Sequence, residues 1–251
     1  MKISIITATY NSENFIESCL NSISSQTYKN FEHIIIDGKS NDNTLQKIQQ
    51  HKFNPKLIIS KKDNGIYDAL NTGIKLSTGD IVGILHSDDF FSDDNTLEKI
   101  AEIFNADSSI DLVYGDLNYV SRFNSNKIIR RWVSKDFSYN DLKYGWMPPH
   151  PTMFIKTKLI SSLNGFDSNF KISGDYMLVL KLLSLKNIKT VYIPRTLIHM
   201  RIGGLSNKSL MKILIKTIED WSALRKNKFN YFFALRALLF KNFSKISQFF
   251  I

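Results

Sequence analysis

Residues 2–42 read KISIITATYNSENFIESCLNSISSQTYKNFEHIIIDGKSND. Ile3 to Ala8 is a short β-rich run, the pattern of a buried strand. Phe15, Ile16, Cys19, Leu20 and Ile23 then recur at helical spacing, which predicts a helix over Ser12 to Ser25 with Ser12 able to cap its start. Glu32 to Asp37 returns to a strand centred on Ile34-Ile35-Ile36, and Asn41 or Asp42 can cap the helix after it. Strand, helix and strand in this order form a βαβ unit, which requires a mostly parallel sheet covered on both faces. Ligands of such sheets bind at the carboxyl ends of the strands. The residues that follow each strand are therefore the ones to read for function.

The alternation continues outward. Leu57 to Ser60 is a third strand, Ile66 to Leu76 a helix, Asp80 to His86 a fourth strand, Leu97 to Phe104 a helix and Leu112 to Val120 a longer strand. The second half is less regular. Asn124 to Lys127 reads as a hairpin turn, and Pro148-Pro149-His150-Pro151 must be an extended or turning loop. Ser173 to Leu185 is helical and Lys189 to Ile193 a short strand. Lys208 to Leu224 and Phe229 to Phe250 are helical patterns separated by Arg225-Lys226-Asn227-Lys228.

Composition narrows the class. The chain has 251 residues, 43% of them hydrophobic, which is globular rather than disordered. One cysteine, Cys19, excludes an internal disulfide framework, and its apolar-periodic setting marks it as a small core residue. No stretch of about 18 uninterrupted apolar residues exists, so no conventional transmembrane helix is expected, and the N-terminus reads as a strand rather than a secretory signal. The net charge is +10, from 33 basic and 23 acidic residues, and from Asn207 onward nine basic residues face two acidic ones. A basic surface serves nucleic acid, anionic lipid or a phosphorylated substrate, and charge alone does not choose among them.

Three strand ends carry the chemistry. Thr7-Ala8-Thr9-Tyr10-Asn11, with Glu13 beyond, follows the first strand; Asp37-Gly38-Lys39-Ser40-Asn41-Asp42-Asn43-Thr44 follows the second; His86-Ser87-Asp88-Asp89 follows the fourth. Strand-end carboxylates accept hydrogen bonds from a ribose or a base. Two carboxylates beside a diphosphate can hold Mg²⁺ or Mn²⁺, and the ion neutralises charge on a departing diphosphate. A third carboxylate nearby can take the proton of an attacking hydroxyl.

With these motifs the chain resembles the family 2 glycosyltransferases of GT-A fold, nearest to bacterial enzymes that build O-antigen and other surface polysaccharides. The resemblance runs over about residues 2 to 206. It is carried by Ile5-Ile6-Thr7-Ala8-Thr9-Tyr10-Asn11, Ser25-Gln26-Thr27-Tyr28, Ile36 to Thr44, Asp63-Asn64-Gly65-Ile66-Tyr67-Asp68 to Gly73, Thr78-Gly79-Asp80, Ser87-Asp88-Asp89, Tyr114-Gly115-Asp116, His150-Pro151-Thr152, Gly165-Phe166-Asp167, Gly174-Asp175-Tyr176 and Gly203-Gly204-Leu205-Ser206.

The resemblance implies an inverting, hexosyltransferase-like enzyme. The nucleotide and donor site would comprise Thr7, Ala8, Thr9, Tyr10, Glu13, Asp37, Gly38, Ser40, Asp68, Asn71, Ser87 and Asp88. Asp88 and Asp89 would hold Mn²⁺ or Mg²⁺, Asp175 would be the general base, and His150 would lie near the acceptor or the diphosphate. Two departures stand out: His86 occupies a place where many relatives carry Asp, and Met177 one where they often carry an acid. Other readings stay open for several of these residues. Glu13 can be a cap or ion-pair partner, Asp68 and Asn71 a solvated pair on one helix face, His150 a loop histidine and Asp175 a helix-dipole partner.

Two domains are expected: a GT-A domain over 1–206 and a basic amphipathic helical extension over 207–251. The extension is read as a membrane-interface helix, with a helix packed on the core or on a second subunit as the alternative. The expected partners are a nucleotide-sugar donor, UDP preferred over GDP or dTDP, and a glycan or polyprenyl-diphosphate-linked acceptor. The expected place is the cytoplasm, peripheral on the inner face of the bacterial membrane. A basic nucleic-acid-binding protein would leave the acidic strand ends unexplained, so nucleic acid is not expected. A nucleotidyltransferase would usually carry a glycine-rich basic loop where Thr7 to Asn11 stands. A non-catalytic nucleotide-sugar-binding protein remains as the alternative.

Overall fold

The structure, a computed structural model, describes residues 1–203 and 210–247. The Gly204-Leu205-Ser206 motif, the boundary at Asn207, and Phe249 and Phe250 lie outside the described residues.

Strand β1 (Ile3–Thr9) is the hub. It pairs in parallel with β2 (Phe31–Asp37) and β4 (Ile81–Ile84), and β3 (Leu57–Ser60) extends the sheet beyond β2. The isoleucines explain the layering. Ile6 and Ala8 turn toward α3 (Ile66–Leu76), where they meet Tyr67, Leu70 and Ile74, while Ile3 and Ile5 turn toward Cys19 and Ile23 of α1 (Ile16–Ser24). Ile35 on β2 meets Ile16 and Leu20 of α1 and Ile48 of α2 (Thr44–Gln50). A strand buried on both faces needs apolar residues at successive positions, as these runs have. Cys19 is fully buried, as expected of a core residue.

The helix after β1 starts later than its periodicity predicts. The Ser12 carbonyl accepts the N–H of Phe15 and of Ile16, but its hydroxyl bonds Ser87 Oγ at 2.8 Å instead of capping α1. Ser12 is thereby spent on joining the loop after β1 to the loop after β4.

Beyond β4 the sheet is mixed. The short strand β5 (Phe90–Phe91) precedes α4 (Thr96–Ala106); β6 (Leu112–Val120) and β7 (Ile128–Trp132) form the hairpin expected from Asn124 to Lys127; and β8 (Phe154–Lys156) leads directly into α5 (Thr157–Ser162). Strand β8 enters antiparallel between β4 and β6, and β9 (Thr190–Arg201) pairs in parallel with β6. Strands β3, β2, β1, β4, β6 and β9 thus run one way, against β8, β5 and β7.

Strand β9 is far longer than the run read from the sequence, which ended at Ile193. Pro194 cannot donate to a ladder and is confined to edges and bulges. Here a bulge absorbs it: Gly115 faces Ile193 and the next residue, Asp116, faces Thr196. A Cβ on Gly115 would lie 2.9 Å from the Arg195 carbonyl oxygen, so glycine is what lets the bulge come close.

Helix α6 (Gly174–Leu183) crosses the core, and α7 (Leu210–Lys226) and α8 (Tyr231–Ser247) close the described chain. These last two helices share the main core: Ala223, Leu224, Ala234 and Ala237 are buried with Leu142 and Tyr176. Lys241 and Asp220 form a buried ion pair at 2.9 Å, with the Lys241 ammonium 3.2 Å from the centre of the Tyr176 ring. Arg236 donates to the Lys143 carbonyl at 3.1 Å. Gly145, at φ +66°, lies where a Cβ would come within 2.3 Å of the Ala237 carbonyl oxygen.

Candidate functional site

A cleft of about 620 Å³ opens at the carboxyl ends of β1 and β4. From the residues expected at the site it gathers Ala8, Thr9 and Tyr10 at the end of β1, Ser87 and Asp88 after β4, His150 from the proline loop and Asp175 from the first turn of α6. His86 lines it as well. Tyr10 is 59% exposed, a flat ring at the mouth suited to stacking on a base.

Several expected residues stand elsewhere. Thr7 is fully buried on the α1 face of β1, with Oγ1 on His33 Nε2 at 2.9 Å, the face that Ile3 and Ile5 also turn toward Cys19. Glu13 braces two loops, accepting both the backbone N–H and the Nδ2 of Asn43 at 3.0 Å. Asp37 is fully buried, and its oxygens accept from Ser40 N–H and Oγ and from Ser60 Oγ; it shapes the loop after β2. Ser40 in turn accepts the Asn11 N–H at 2.9 Å. Gly38 sits against Asp63 and Tyr10, where a Cβ would be 3.0 Å from Asp63 Oδ2. Asp68 bonds back to the Asn64 N–H. Asn71 is turned away from the cleft and clamps the Phe166 backbone through both ends of its amide, at 2.8 Å each.

The two adjacent aspartates divide. Asp88 opens on the cleft. Asp89 is 1% exposed, with Oδ1 accepting the Arg201 N–H and Oδ2 buried with no hydrogen-bond partner among the described residues. Burial, reinforced by the Asp88 charge, pushes the Asp89 carboxyl well above its ordinary range, and Arg201 offsets this only in part. Arg201 itself donates to the Asp88 carbonyl at 2.7 Å and lies over the Phe90 ring, so it ties the end of β9 to the loop after β4.

On the other wall, Asp175 Oδ2 is 3.0 Å from His150 Nδ1. Burial raises the Asp175 carboxyl, but the His150 charge and hydrogen bond outweigh it and hold the group below the usual carboxylate range. Asp175 is therefore ionised at neutral pH. His86 meets His150 edge to face, with ring centres 6.2 Å apart; burial and then His150 bring its pKa down to about 4.

The sequence reading missed a set of cleft residues: Asp63, Arg122, Arg130, Lys171 and Arg201. Asp63 follows β3 in a motif already recognised and was legible. The arginines were hidden because they belong to the β6–β7 hairpin and to the part of β9 beyond the Pro194 bulge.

The described residues gather no cluster of three or more His, Cys, Asp or Glu side chains able to cage a metal. The fit is of another kind. Mg²⁺ and Mn²⁺ at phosphate sites use one or two carboxylates and complete their shell with substrate oxygens and water. Asp88, at the open cleft with Arg201 behind it, suits that mode; Asp89 does not face the cleft.

The fold is that of solved GT-A glycosyltransferases. The chain superposes on Staphylococcus aureus TarS 1-349 in complex with UDP-GlcNAc with a TM-score of 0.72, at 20% identity, covering 90% of this chain and 65% of that one. It matches the mannosyltransferase PcManGT from Pyrobaculum calidifontis, in complex with GDP-Man and Mn²⁺, with a TM-score of 0.67 at 19% identity, over 98% and 72% of the two chains. The family profile of glycosyl transferase family 2 matches residues 4–159. The chain belongs to glycosyl transferase family 2. Among curated proteins, it is 29% identical to a PGL/p-HBAD biosynthesis glycosyltransferase of Mycobacterium bovis over 86% of this chain and 83% of that one. It is 32% identical to an Escherichia coli chondroitin synthase over 72% of this chain and 26% of that much longer protein. It is a glycosyltransferase.

Proposed function

We propose that this glycosyltransferase moves a sugar, with inversion, from a UDP-sugar to a hydroxyl of a lipid-linked glycan during assembly of a bacterial surface polysaccharide. The observation that carries the reading is that Asp88, after β4, and Asp175, in the first turn of α6, line one cleft. Two carboxylates so placed can divide the work of a displacement. The acceptor hydroxyl attacks the anomeric carbon, the new C–O bond forms as the bond to the diphosphate breaks, and the hydroxyl proton passes to Asp175. One displacement inverts the anomeric centre. Tyr10 would stack on the base, and Arg122, Arg130 and Arg201, which line the same cleft, would meet the diphosphate charge. Arg130 is also held over the Tyr119 ring. Asp88 would hold Mn²⁺ or Mg²⁺, which when bound neutralises the departing diphosphate. The TarS complex with UDP-GlcNAc favours UDP over the GDP of the mannosyltransferase.

A peripheral membrane contact on the cytoplasmic face belongs to the same reading. Helix α8 buries its small side, Ala234 and Ala237, and leaves Tyr231, Phe232, Leu235, Leu239 and Phe240 at least half exposed. Met211, Ile213, Leu214 and Ile218 of α7 are exposed in the same way. Large apolar groups outside and alanines inside invert the usual order of a docked helix. With the excess of basic residues in this segment, the arrangement suits an anionic bilayer. None of the described helices is long and apolar enough to cross a membrane.

The test is thermal unfolding with UDP, GDP and dTDP, each with and without Mn²⁺, on wild type and Asp88→Asn. Ligand at a hundred times its Kd stabilises the native state by about 2.7 kcal/mol. A rise with UDP that needs Mn²⁺ and disappears in Asp88→Asn is expected. A folded protein that responds to none of the nucleotides would sink the proposal.

A further inference from the structure

The base candidate Asp175 sits in the first turn of α6, and what holds that turn comes from the far end of the chain. Glu219, on α7, accepts three consecutive backbone N–H groups: Lys171 on Oε1, and Ile172 and Ser173 on Oε2, all at 2.8 Å. These donors lie just ahead of α6, where a helix leaves its N–H groups without intrahelical partners. A carboxylate there satisfies them and complements the helix dipole.

A second clamp works from the opposite side. The Tyr67 hydroxyl of α3 donates to the Ile172 carbonyl at 2.7 Å and accepts the Gly174 N–H at 2.9 Å. A Cβ on Gly174 would be 2.7 Å from the Tyr67 ring, so the segment has no room to shift toward α3. Glu219 is braced in its turn. Its neighbour Asp220 is locked to Lys241 of α8, and Lys241 packs over the ring of Tyr176, the residue after Asp175.

We propose that Glu219 is a positioning residue for Asp175: by gripping residues 171–173 it fixes the origin of α6, and so the height at which the carboxylate meets the acceptor hydroxyl. This rests on the reading of Asp175 as the base. Glu219 touches neither substrate nor reacting atoms. Its effect is therefore on turnover, passed through Asp175, and not on donor capture.

The experiment compares wild type, Glu219→Ala and Glu219→Gln, each also in an Asp175→Asn background, by kcat, donor KM and amide hydrogen exchange over residues 169–177. Misplacing a catalytic group by about 1 Å costs up to about 100-fold. Glu219→Ala should lower kcat by about 30-fold, with donor KM within about twofold, and Glu219→Gln, which keeps one acceptor oxygen, should fall between. Exchange at 171–173 should quicken. On Asp175→Asn, Glu219→Ala should cost less than about twofold more, because two changes acting on one group are not additive. Wild-type kcat in Glu219→Ala, or the full loss repeated on Asp175→Asn, would overturn the inference. Wild-type turnover of Asp175→Asn alone would overturn the base assignment itself, and is read without reference to Glu219.

Discussion

On the β1–β4 side of the cleft, Tyr10, Asn11, Ser12, Asp63, Ser87 and Asp88 all stand within a few positions of a strand end, and the strands are isoleucine-rich runs that specify themselves. On the facing side, His150 comes from a proline loop, Asp175 from a helix start, and the grip on Asp175 from α7. The first wall is local in sequence and general in use, since any nucleotide presents a base and phosphates. The second is assembled from distant segments, and it is where acceptor and linkage would be chosen. A cleft built this way can keep its donor chemistry while its acceptor wall changes.

The sharpest way to break this comparison is Asp175→Asn. If the walls divide donor binding from acceptor activation, kcat should fall by about 1,000-fold, as expected for loss of a general base. The nucleotide-dependent rise in Tm should stay as in wild type. A variant that loses nucleotide binding as well would show the two walls to be one.

Next in size is Gly145→Ala. The left-handed φ and the 2.3 Å approach to the Ala237 carbonyl leave no place for a methyl group. Strain and the displaced helix should together cost about 3 kcal/mol, read by urea unfolding. Because α8 shares the core, the loss should appear in a single transition. A separate early transition, with the remainder as stable as wild type, would make the helical extension a body of its own.

The smallest effect concerns the first wall. His33 is buried under β1, bonded to Thr7, and burial lowers its pKa to about 3. The unfolded histidine titrates near 6.5. Above that pH both states are neutral and the site costs nothing. Between about 6.5 and 3 the unfolded chain binds a proton that the native state refuses, so stability falls by up to about 1.4 kcal/mol per pH unit from this group. Urea unfolding at pH 7 and pH 5 should show a gentler loss in His33→Gln than in wild type. Equal losses would mean that His33 takes its proton in the folded state.

The sheet of β1 to β4 was legible because burial on both faces leaves an unmistakable apolar run, and the hairpin at Asn124 to Lys127 because its turn residues announce it. The short strands β5 and β8 were not, since two or three residues carry no periodicity. The end of β9 was hidden by Pro194, whose cost to a ladder is met by a bulge that only the partner strand reveals. In the site, Tyr10, Asp88, His150 and Asp175 were readable from the family motifs. Thr7, Asp37 and Asn71 belong to the same motifs, yet they hold loops and backbone in place. A motif records that a position matters without saying whether it touches ligand. Glu219 had no signal at all, for its three partners are 46 to 48 residues away.

The pairing of Lys241 with Asp220, against Tyr176, ties the exposed apolar face of α7 and α8 to the residue beside Asp175. On the proposed reading, with that face resting on a bilayer, the base would stand at a set elevation above the lipid. The enzyme would then work as a ruler, favouring a glycan stem whose terminal hydroxyl reaches that elevation over stems one sugar too short or too long.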